Sequence, residues 1–414
     1  MLRRYKKNSN GSNVPIAEVY TANEHGIDPK NIDLDAIWAV RKLKQSGAEA
    51  YIVGGAVRDL LLHHKPKDFD ISTSATPRQV QKLFWNARII GKRFKLVHLV
   101  FKDKILEVST FRSGADGHKE GQSIYGTVEQ DAKRRDFTIN SLYYDPIEGQ
   151  LIDFNHAMLD FKRKRIRSII PLSISFVEDP VRMIRAVKYA VVTGFSLQFD
   201  IRRAIKKNMN ELARISDSRL TEEVSKILCS GQSAAIMAEL QRYKLLVYLL
   251  PCISVYTDIN EVFNSLRTLD KKVLASKIED EGCLEGLKGE MLEALVKPII
   301  RPAPPECTPQ EAFKEIFGQI KTLISPITPP NYNVEQAAVL LLEGDGITVP
   351  KNCLRARKPL RQFGSLGARA KGHRQVDGGR KRKRPSSAAS RSSSSKKRRP
   401  TSQKKSSSPA KISE

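Results

Sequence analysis

The apolar positions of this chain change their spacing near residue 170. Before that point, the runs "AEAYIVGG" (48–55) and "DFDIST" (68–73) predict two strands. The segments "LVHLVF" and "ILEVSTF" alternate on either side of "KDK" and predict a β-hairpin. Helical spacing in "LDAIWAVRKLKQSG" (34–47) and a Thr-Pro start in "TPRQVQKLFW" (76–85) predict helices between the strands. This order predicts an α/β domain with a small mixed or antiparallel sheet.

Beyond residue 170 the pattern becomes helical. The segment "EDPVRMIRAVKYAVVTG" (178–194) begins with acids and a proline and ends at a glycine, which are helix start and stop signals. The stretches "DSRLTEEVSKILCSG" and "SAAIMAELQRYKLLVYLL" continue in the same way, and strand signals nearly vanish. Prolines obscure the pattern at 302–330, and the apolar periodicity fades after about Leu342. We therefore expect an all-helical region after the α/β domain.

The positive charge of the chain is concentrated towards its C-terminal end. The formal net charge is +26. Residues 351–414 hold 21 lysines and arginines against 2 acids, a net of +19, which leaves +7 for residues 1–350. This distribution favours a polyanionic partner, nucleic acid before membrane, although such a run can also be a solvated or localising tail. The serine-rich, low-complexity composition of the tail predicts disorder, because it offers too little apolar surface for a core.

Cysteine spacing and hydropathy limit the compartment. The five cysteines are scattered without a CxxC pair, which argues against a zinc site or a disulfide framework and favours a reducing compartment. The basic N-terminus lacks the apolar run of a signal peptide, and no stretch approaches the length of a membrane span. We expect a soluble, cytoplasmic protein with no membrane partner.

Two aspartates on one predicted strand are the first candidate functional residues. Side chains alternate between the faces of a strand, so Asp68 and Asp70 point the same way. Two close carboxylates repel unless a cation lies between them, and Mg²⁺ suits carboxylate oxygens together with substrate phosphates. An exposed edge strand with two solvated acids is the alternative.

A glycine turn upstream of the aspartates favours the metal interpretation. Gly54 and Gly55 stand between a predicted strand and a helix, where the backbone can approach a phosphate closely. Arg58 adds a charged fork for phosphate. The stretch has neither the GK[ST] of a Walker loop nor a GxGxxG. Metal-binding acids, phosphate-binding amides and an arginine together indicate two-metal nucleotidyl transfer, in which an in-line displacement releases pyrophosphate.

At this point the chain resembles a known family. The stretch "VGGAVRDLLLHHKPKDFDISTSATP" resembles the nucleotidyltransferase motif of the polymerase-beta superfamily, in particular the class II branch that holds bacterial poly(A) polymerases and CCA-adding tRNA nucleotidyltransferases. The stretches "RRDFTINSLYYDP", "VEDPVRMIRAVKYA" and "DSRLTEEVSKIL" agree, so the resemblance covers roughly residues 35–255. His63 and His64 stand where relatives usually have glycine, and we interpret them as a loop substitution rather than as ligands.

The resemblance implies a head, neck, body and tail architecture. The expected division is an irregular N-terminal arm (1–33), a nucleotidyltransferase head (34–170), a nucleotide-recognition and RNA-binding neck (171–230), a helical body (231–345) and a basic, largely disordered tail (346–414).

The resemblance also implies a set of site residues. Asp68, Asp70 and Asp136 are expected to be catalytic, with two Mg²⁺ ions on Asp68 and Asp70. Asp136 should hold the sugar or a neighbouring motif in place, although a structural Arg–Asp pair that caps a helix is the alternative. Glu107 is a candidate third acid, because it faces away from Leu106 and Val108, or else a residue of a solvated strand face. The expected nucleotide-binding residues are Gly54, Gly55, Arg58, Arg135, Asp179, Arg182 and Arg185.

Asp179 and Arg182 are expected to select the incoming base. They are three residues apart and share a face of the first helical turns, so an ordinary ion pair is the structural alternative. The resemblance implies that they read the base. A carboxylate only accepts hydrogen bonds and a guanidinium only donates them. Adenine and cytosine offer an amino donor beside a ring-nitrogen acceptor, whereas guanine and uracil offer the reverse order. This pair should therefore accept A and C, while Arg185 braces it or contacts a phosphate.

The hydrogen-bonding pattern of Asp179 and Arg182 alone does not separate a polymerase that uses ATP from an enzyme that uses CTP and ATP. The segment "RIIGKRFKLVHLVF" (88–101), the form of "SRLTEEVSKIL" and the basic tail resemble bacterial poly(A) polymerases more closely. We therefore expect addition of AMP from ATP to RNA 3′ ends, with contacts to the RNA-decay machinery and a monomeric state. The alternatives are a CCA-adding tRNA nucleotidyltransferase and a non-catalytic RNA-binding protein with the same fold.

Overall fold

The structure is a computed structural model that describes residues 2–8, 10–91, 96–102, 104–113, 125–279 and 286–354. Residues 92–95, three of which are basic, belong to the segment predicted to resemble poly(A) polymerases and lie outside the described residues. The same holds for the predicted disordered tail from residue 355 onward.

A mixed sheet forms the first half of the described chain. Its strands are β1 (Leu2–Lys7), β2 (Asn13–Tyr20), β3 (Ala50–Val53), β4 (Asp70–Thr73), β5 (Ala87–Ile90), β6 (Leu96–Val100), β7 (Ile105–Thr110), β8 (Leu142–Asp145) and β9 (Gln150–Asp153). Within the described ranges the strand order is β1-β2-β9-β8-β3-β4-β7-β6-β5, and only β4 and β7 pair in parallel. The predicted mixed sheet and the β6–β7 hairpin are confirmed, but the sheet has nine strands in the described part of the chain and is larger than expected.

The helices of this half are α1 (Ala22–His25), α2 (Leu34–Gln45), α3 (Gly55–Leu61), α4 (Pro77–Leu83), α5 (Val128–Lys133) and α6 (Ala157–Lys162). The predicted α2 and α4 are confirmed, and local chemistry explains their starts. The carboxylate of Asp33 accepts hydrogen bonds from two backbone amides in the first turn of α2. Thr76 and Gln79 form a reciprocal capping box at α4, with Pro77 in its first turn.

The expectation of an irregular arm over residues 1–33 is wrong. Strands β1 and β2 form an antiparallel hairpin, and β2 pairs with β9 at one edge of the sheet. The sequence "LRRYKK" of β1 shows no apolar alternation, because this edge strand is largely exposed. Strand β1 pairs with its neighbour β2, but the hairpin joins the sheet through the pairing of β2 with β9, more than a hundred residues away, which a local pattern does not reveal.

Helices dominate the second half, as predicted. They are α7 (Leu172–Glu178), α8 (Val181–Thr193), α9 (Phe199–Asn208), α10 (Asp217–Leu228), α11 (Ser233–Arg242), α12 (Leu246–Leu249), α13 (Pro251–Ser254), α14 (Ile259–Glu279), α15 (Lys288–Val296), α16 (Pro309–Ile324) and α17 (Asn331–Gly344). Two short strands, β10 (Arg165–Ile166) and β11 (Ser196–Leu197), pair in parallel.

Two details of the helical half differ from the simplest interpretation of its sequence. The run "SAAIMAELQRYKLLVYLL" forms two helices, because the chain turns at Lys244, whose φ is +58°. The proline-rich stretch that was hard to interpret contains the long helix α16, whose start is fixed by a capping box between Thr308 and Glu311.

The hydrophobic core of the helical half extends into the sheet half. The buried side chains of Phe137, Ile139 and Ile166 pack in the same cluster as those of helices α8, α10 and α11. A second cluster lies beneath the sheet, against α2 and α3, and a third packs α5 against β3 and β8. The described chain therefore forms one compact unit, and the functional cleft lies where the two halves meet.

Candidate active site

A cleft of about 880 Å³ lies between the sheet and helices α8 and α10. It has the size of a small-molecule binding site. Its lining includes many residues predicted from the sequence: Gly54, Gly55, Arg58, Asp70, Glu107, Arg135, Asp136, Asp179, Arg182 and Arg185. Of the expected site residues, Asp68 is not part of this lining.

The carboxylates of the cleft lie on the parallel strand pair. Asp70 starts β4 and is the register partner of Glu107 on β7, so both side chains point to the same face. Asp68 and Asp70 are exposed and Phe69 between them is buried, but β4 begins at Asp70, so Asp68 lies two residues before the strand on which it was predicted. The expected third acid Glu107 thus lies beside Asp70 in the cleft.

The electrostatics of this group fit a divalent cation. The side chain of Asp70 is accessible from the cleft, but the walls exclude much of the bulk water around it. Burial there, followed by the charge of Glu107, raises the pKa of Asp70 to about 6, and Asp68 adds to the effect. Carboxylates whose negative charges repel one another are ligands that a hard divalent cation stabilises. Within the described ranges no three such side chains are already gathered at ligating distance, so a cation would have to draw them together.

The glycine turn leaves room above Asp70. Gly54 has φ of +71° and ψ of −131°, a conformation that side-chain-bearing residues rarely adopt. A Cβ atom placed on Gly54 would lie 3.6 Å from a carboxylate oxygen of Asp70 and 3.8 Å from Nη1 of Arg135. The absence of a side chain therefore keeps the space between this acid and this arginine open for a ligand.

The two arginines of the sheet half that the sequence predicted for the site, Arg58 and Arg135, are held in fixed orientations. Nη1 of Arg58 donates to the side-chain oxygen of Asn140 at 3.1 Å, and its guanidinium also pairs with Asp59. Arg135 donates to Tyr143, to the backbone oxygen of Asn140 and to Asp131, at 3.1–3.2 Å. Burial opposes the charge of Arg135, but Tyr143 and Asp131 raise its pKa, so the cation persists.

Asp136 links the two halves of the protein. Its side chain is buried, and one carboxylate oxygen lies 2.8 Å from Nη2 of Arg185 on α8. Arg185 also donates to the hydroxyl of Tyr189 at 3.0 Å. The Tyr189 ring in turn lies beneath the guanidinium of Arg58, at 5.2 Å. Arg185 therefore braces Asp136 and Tyr189, whereas the expected contact with Asp179 is not part of this arrangement.

Asp179 and Arg182 lie together at the junction of α7 and α8. Nε of Arg182 is 3.9 Å from one oxygen of Asp179, and its Nη1 donates to the backbone oxygen of Ser175 at 3.2 Å. Arg219 on α10 donates to the other oxygen of Asp179 at 2.9 Å. The predicted pair is thus present, and its carboxylate has a further partner.

Several residues near the site were not identified as candidates by the sequence analysis. Arg219 does not line the cleft but contacts Asp179, and its stretch was quoted only as a helix and for its resemblance to the family. Tyr189 lines the cleft and lies in a stretch that was chosen for Asp179 and Arg182. Lys226 lines the cleft from α10, and its charge lowers the pKa of Asp70. The position of Lys226 one turn after the acids of "TEEVSK" could be recognised from the sequence. Asp70, its partner across the cleft, is 156 positions away in sequence and could not be identified in that way.

Comparisons with known proteins show which families this chain is similar to. Residues 50–167 match the family described as the poly A polymerase head domain, and residues 194–256 match a probable RNA- and SrmB-binding site of polymerase A. Poly(A) polymerase I of Haemophilus influenzae is 38% identical over 268 residues, which are 61% of this chain and 57% of that protein. Residues 50–167 therefore form a domain of the poly A polymerase head family.

CCA-adding enzymes are also similar to this chain. The CCA-adding enzyme of Geobacillus thermodenitrificans is 38% identical over 218 residues, which are 52% of this chain and 54% of that enzyme. A solved structure of a tRNA-processing enzyme in an apo form has a TM-score of 0.55 at 23% identity, and the match covers 77% of this chain and 80% of that one. That likeness supports the fold alone. The chain spans just over half the length of these curated relatives.

Proposed function

We propose that this chain adds AMP from ATP to RNA 3′ ends without a template and releases pyrophosphate. The observation that carries the proposal is the cleft itself. The carboxylates Asp70 and Glu107 stand on its sheet side, and the base-reading candidates Asp179 and Arg182 stand on its helical side. A nucleotide that spans the cleft would present its phosphates to the first group and its base to the second.

The sheet side of the cleft would bind the triphosphate. Asp68 and Asp70, with Glu107 beside them, would hold Mg²⁺, which when bound supplies positive charge for the triphosphate and for the attacking oxygen. Arg58 and Arg135 offer guanidinium donors to phosphate oxygens, and their fixed partners orient them in advance. Gly54 leaves the space between the carboxylate and arginine groups that the phosphates would fill.

The reaction at the RNA end is a displacement at phosphorus. The 3′-hydroxyl oxygen of the RNA forms a bond to the α-phosphorus of ATP, and the bond from that phosphorus to the bridging oxygen of pyrophosphate breaks. We infer that Asp70 lies close to the attacking hydroxyl and helps to accept its proton. Asp136 would position Arg185, which in turn donates to Tyr189, rather than touch the reacting atoms.

The helical side would select the base. Asp179 would accept a hydrogen bond from the amino group of adenine, and Arg182 would donate to the adjacent ring nitrogen. The anchor between Arg182 and Ser175 holds the guanidinium near the carboxylate before the nucleotide arrives. Cytosine would satisfy the same pair, so this geometry favours A and C over G and U.

A CCA-adding tRNA nucleotidyltransferase is the second candidate, because the same pair accepts cytosine and because CCA-adding enzymes are among the relatives. The longer match to poly(A) polymerase I and the basic tail favour polyadenylation, since a tail of this charge can hold RNA of any sequence through phosphates. The full set of cleft residues argues against a non-catalytic RNA-binding protein.

One experiment separates these candidates. An unstructured RNA and a tRNA that lacks its 3′-terminal nucleotides are each offered with ATP alone, CTP alone and both. We expect long A-tracts on the unstructured RNA and little use of CTP. Addition that stops at CCA on tRNA alone would instead establish the second candidate, and no incorporation of either nucleotide would favour a non-catalytic binding role.

The wider expectations remain proposals. They are the division into head, neck, body and tail, the use of two Mg²⁺ ions, a cytoplasmic location, a monomeric state and contacts with the RNA-decay machinery. The described residues contain no helix that is both long and apolar enough to cross a bilayer.

A further inference from the structure

The N-terminal hairpin holds basic residues against helix α5. Strand β1 has the sequence "LRRYKK" and lies outside both segments that match the family models. Ala17 of β2 is buried in the same cluster as Val128 and Ala132 of α5. Arg4 of β1 donates to the hydroxyl of Tyr51 on β3 at 3.2 Å. These contacts fix the hairpin on the face of the sheet that carries α5.

Two exposed lysines meet at one carboxylate on this face. Nζ of Lys6 on β1 lies 3.8 Å from one oxygen of Glu129, and Nζ of Lys133 lies 2.6 Å from the other. The side chains of Lys6 and Lys133 are 66% and 59% exposed, whereas that of Glu129 is only 18% exposed. A lysine on an edge strand commonly serves to prevent unwanted strand pairing. Edge protection does not explain why the ammonium group of Lys6 reaches a residue of α5, beside a second ammonium group.

Helix α5 connects these lysines to the cleft. Val53, which packs in the same cluster as α5, is the register partner of Asp70, so α5 lies on the face of the sheet that carries the Asp70 carboxylate. Arg134, which caps the C-terminal end of α5, lines the cleft. Arg134 and Arg135 both donate to the buried carboxylate of Asp131, at 2.9 and 3.2 Å. Four cations therefore share two carboxylates between the cleft and the hairpin, and positive charge is in excess along this path.

This path suits an RNA whose 3′ end occupies the cleft. A Cβ atom placed on Gly54 would contact both Asp70 and Arg135, so this arginine stands next to the carboxylate. The six residues of α5 span about 9 Å. At about 3.4 Å per stacked nucleotide, about three nucleotides cover this length. An RNA chain that leaves the cleft along α5 therefore reaches the two lysines within a few nucleotides.

We propose that Lys6 and Lys133, which we call the lysine pair, bind phosphate groups of the RNA a few nucleotides upstream of its 3′ end, without regard to base. This inference rests on the proposed function, which places the RNA 3′ end in the cleft. Glu129 holds the two ammonium groups in position before RNA binds, but its charge also competes with the phosphates for them. The N-terminal hairpin thereby contributes to RNA binding from a part of the chain separate from the matched segment 194–256.

The test measures binding of labelled 18-nucleotide RNAs to the full chain by fluorescence anisotropy, with no nucleoside triphosphate present and at several salt concentrations. The pair variant, Lys6→Gln with Lys133→Gln, removes both charges, and Glu129→Gln removes the competing acid. A charge-preserving variant, Lys6→Arg with Lys133→Arg, reports effects of shape alone.

Matched controls come from helices α14 and α15, where Lys272 pairs with Glu290 and Lys297 pairs with Glu293. The control Lys272→Gln with Lys297→Gln removes two exposed lysines from this surface. The control Glu293→Gln removes an acid that pairs with one of them. Thermal unfolding confirms that all variants fold.

The pair variant should weaken binding of A-, C- and U-rich RNAs alike. It should also lower the slope of log affinity against log salt concentration by about 1.4, since each lost contact to a single strand contributes about 0.7. Glu129→Gln should instead tighten RNA binding at low salt, because the lysine pair then loses its competing partner. The charge-preserving variant and both controls should keep the original slope and affinity.

An extension assay tests the position of the lysine pair along the RNA. In the pair variant, the KM for an 18-nucleotide primer should rise, while kcat and the KM for ATP stay unchanged. The KM for a dinucleotide primer should not change, because this primer is too short to reach the lysines when its 3′ end lies in the cleft. An equal rise in KM for both primers would place the pair at the 3′ end itself and overturn the inference.

Three binding results would also overturn the inference: a slope that stays unchanged in the pair variant, an equal loss in the lysine control, or weakened binding of polyglutamate with unaltered RNA binding. The last result would assign the lysine pair to an acidic protein partner. An unchanged or weaker RNA affinity in Glu129→Gln would contradict it as well. Because the binding assay contains no triphosphate, a chain that shows these binding effects but fails to add AMP would contradict the proposed function and leave the binding role of the pair standing.

Discussion

The contact between Arg219 and Asp179 leads to a prediction about base selection. Arg219 donates to one carboxylate oxygen of Asp179 at 2.9 Å, while Arg182 lies 3.9 Å from the other oxygen. In the variant Arg219→Gln this charged donor is lost. We expect Asp179 to turn towards Arg182, so that the acceptor and the donor satisfy each other instead of a base.

The structure indicates different magnitudes for stability and for selection. The side chain of Arg219 is half exposed, so its ion pair should contribute about 1 kcal/mol or less to the free energy of unfolding. Direct bidentate readers of a base contribute about 1–3 kcal/mol of discrimination, and a residue that only positions one of them should fall at the lower end. About 1 kcal/mol corresponds to a roughly fivefold loss in the preference for ATP over GTP.

The assay compares kcat/KM for ATP, CTP, GTP and UTP on one unstructured RNA, alongside thermal unfolding. Arg214→Gln is the matched control, because Arg214 pairs with Glu211 on the exposed turn before α10 and lies outside the cleft lining. The variant Arg219→Gln should lose preference for ATP with little change in melting temperature, and the control should change neither. Unchanged nucleotide ratios together with a markedly lower melting temperature would refute the reasoning and make Arg219 a structural residue.

Three further predictions concern the sheet side of the cleft. Asp70→Asn should abolish chain extension and leave RNA binding intact, and near-normal extension would exclude a central role for Asp70. Since the folded-state pKa of Asp70 is raised to about 6, removal of its charge should also increase the melting temperature of the metal-free protein at pH 7. Because protons compete with cations for a carboxylate of this pKa, Mn²⁺ affinity, measured by electron paramagnetic resonance, should fall up to tenfold per pH unit below about pH 6, and a flat Mn²⁺ profile would contradict this. In the metal-free protein, the contribution of Asp70 to the free energy of unfolding should decrease as the pH rises from about 4 to 6. Gly54→Ala should cost about 1–3 kcal/mol of stability, because Gly54 has a positive φ, and should raise the KM for ATP. The control Gly149→Ala, also at positive φ but with open space around its Cβ position, should lower only the melting temperature. An unaltered KM in Gly54→Ala would show that the space above Asp70 is not used.

The sequence predicts local features of this site well. The order of strand, glycine turn, helix and strand in residues 50–73 depends on nearby residues, so the placement of Gly54, Arg58 and Asp70 could be anticipated. The apolar alternation of β7 correctly predicted the face of the strand on which Glu107 lies. Its position opposite Asp70 depends on the order of the strands, which the alternation does not give. Helix α8 begins and ends within three residues of its sequence signals.

Features that depend on distant partners could not be predicted in this way. The hairpin of β1 and β2 joins the sheet because β2 pairs with β9, and the exposed, basic residues of β1 carry no apolar pattern of their own. The contact between Arg219 and Asp179 joins two helices that are forty positions apart. Such contacts arise from packing of the halves against each other, which periodicity does not encode.

The shared core has a consequence for how the protein unfolds and how it can be divided. Phe137, Ile139 and Ile166 belong by sequence to the sheet half, yet they are buried among the helices of the second half. A fragment cut near residue 170 would expose all three side chains to water and would lose a large part of its burial free energy. The two halves should therefore melt in a single transition, and proteases should find no stable intermediate between them. In a chain built this way, the cleft cannot persist after either half has unfolded.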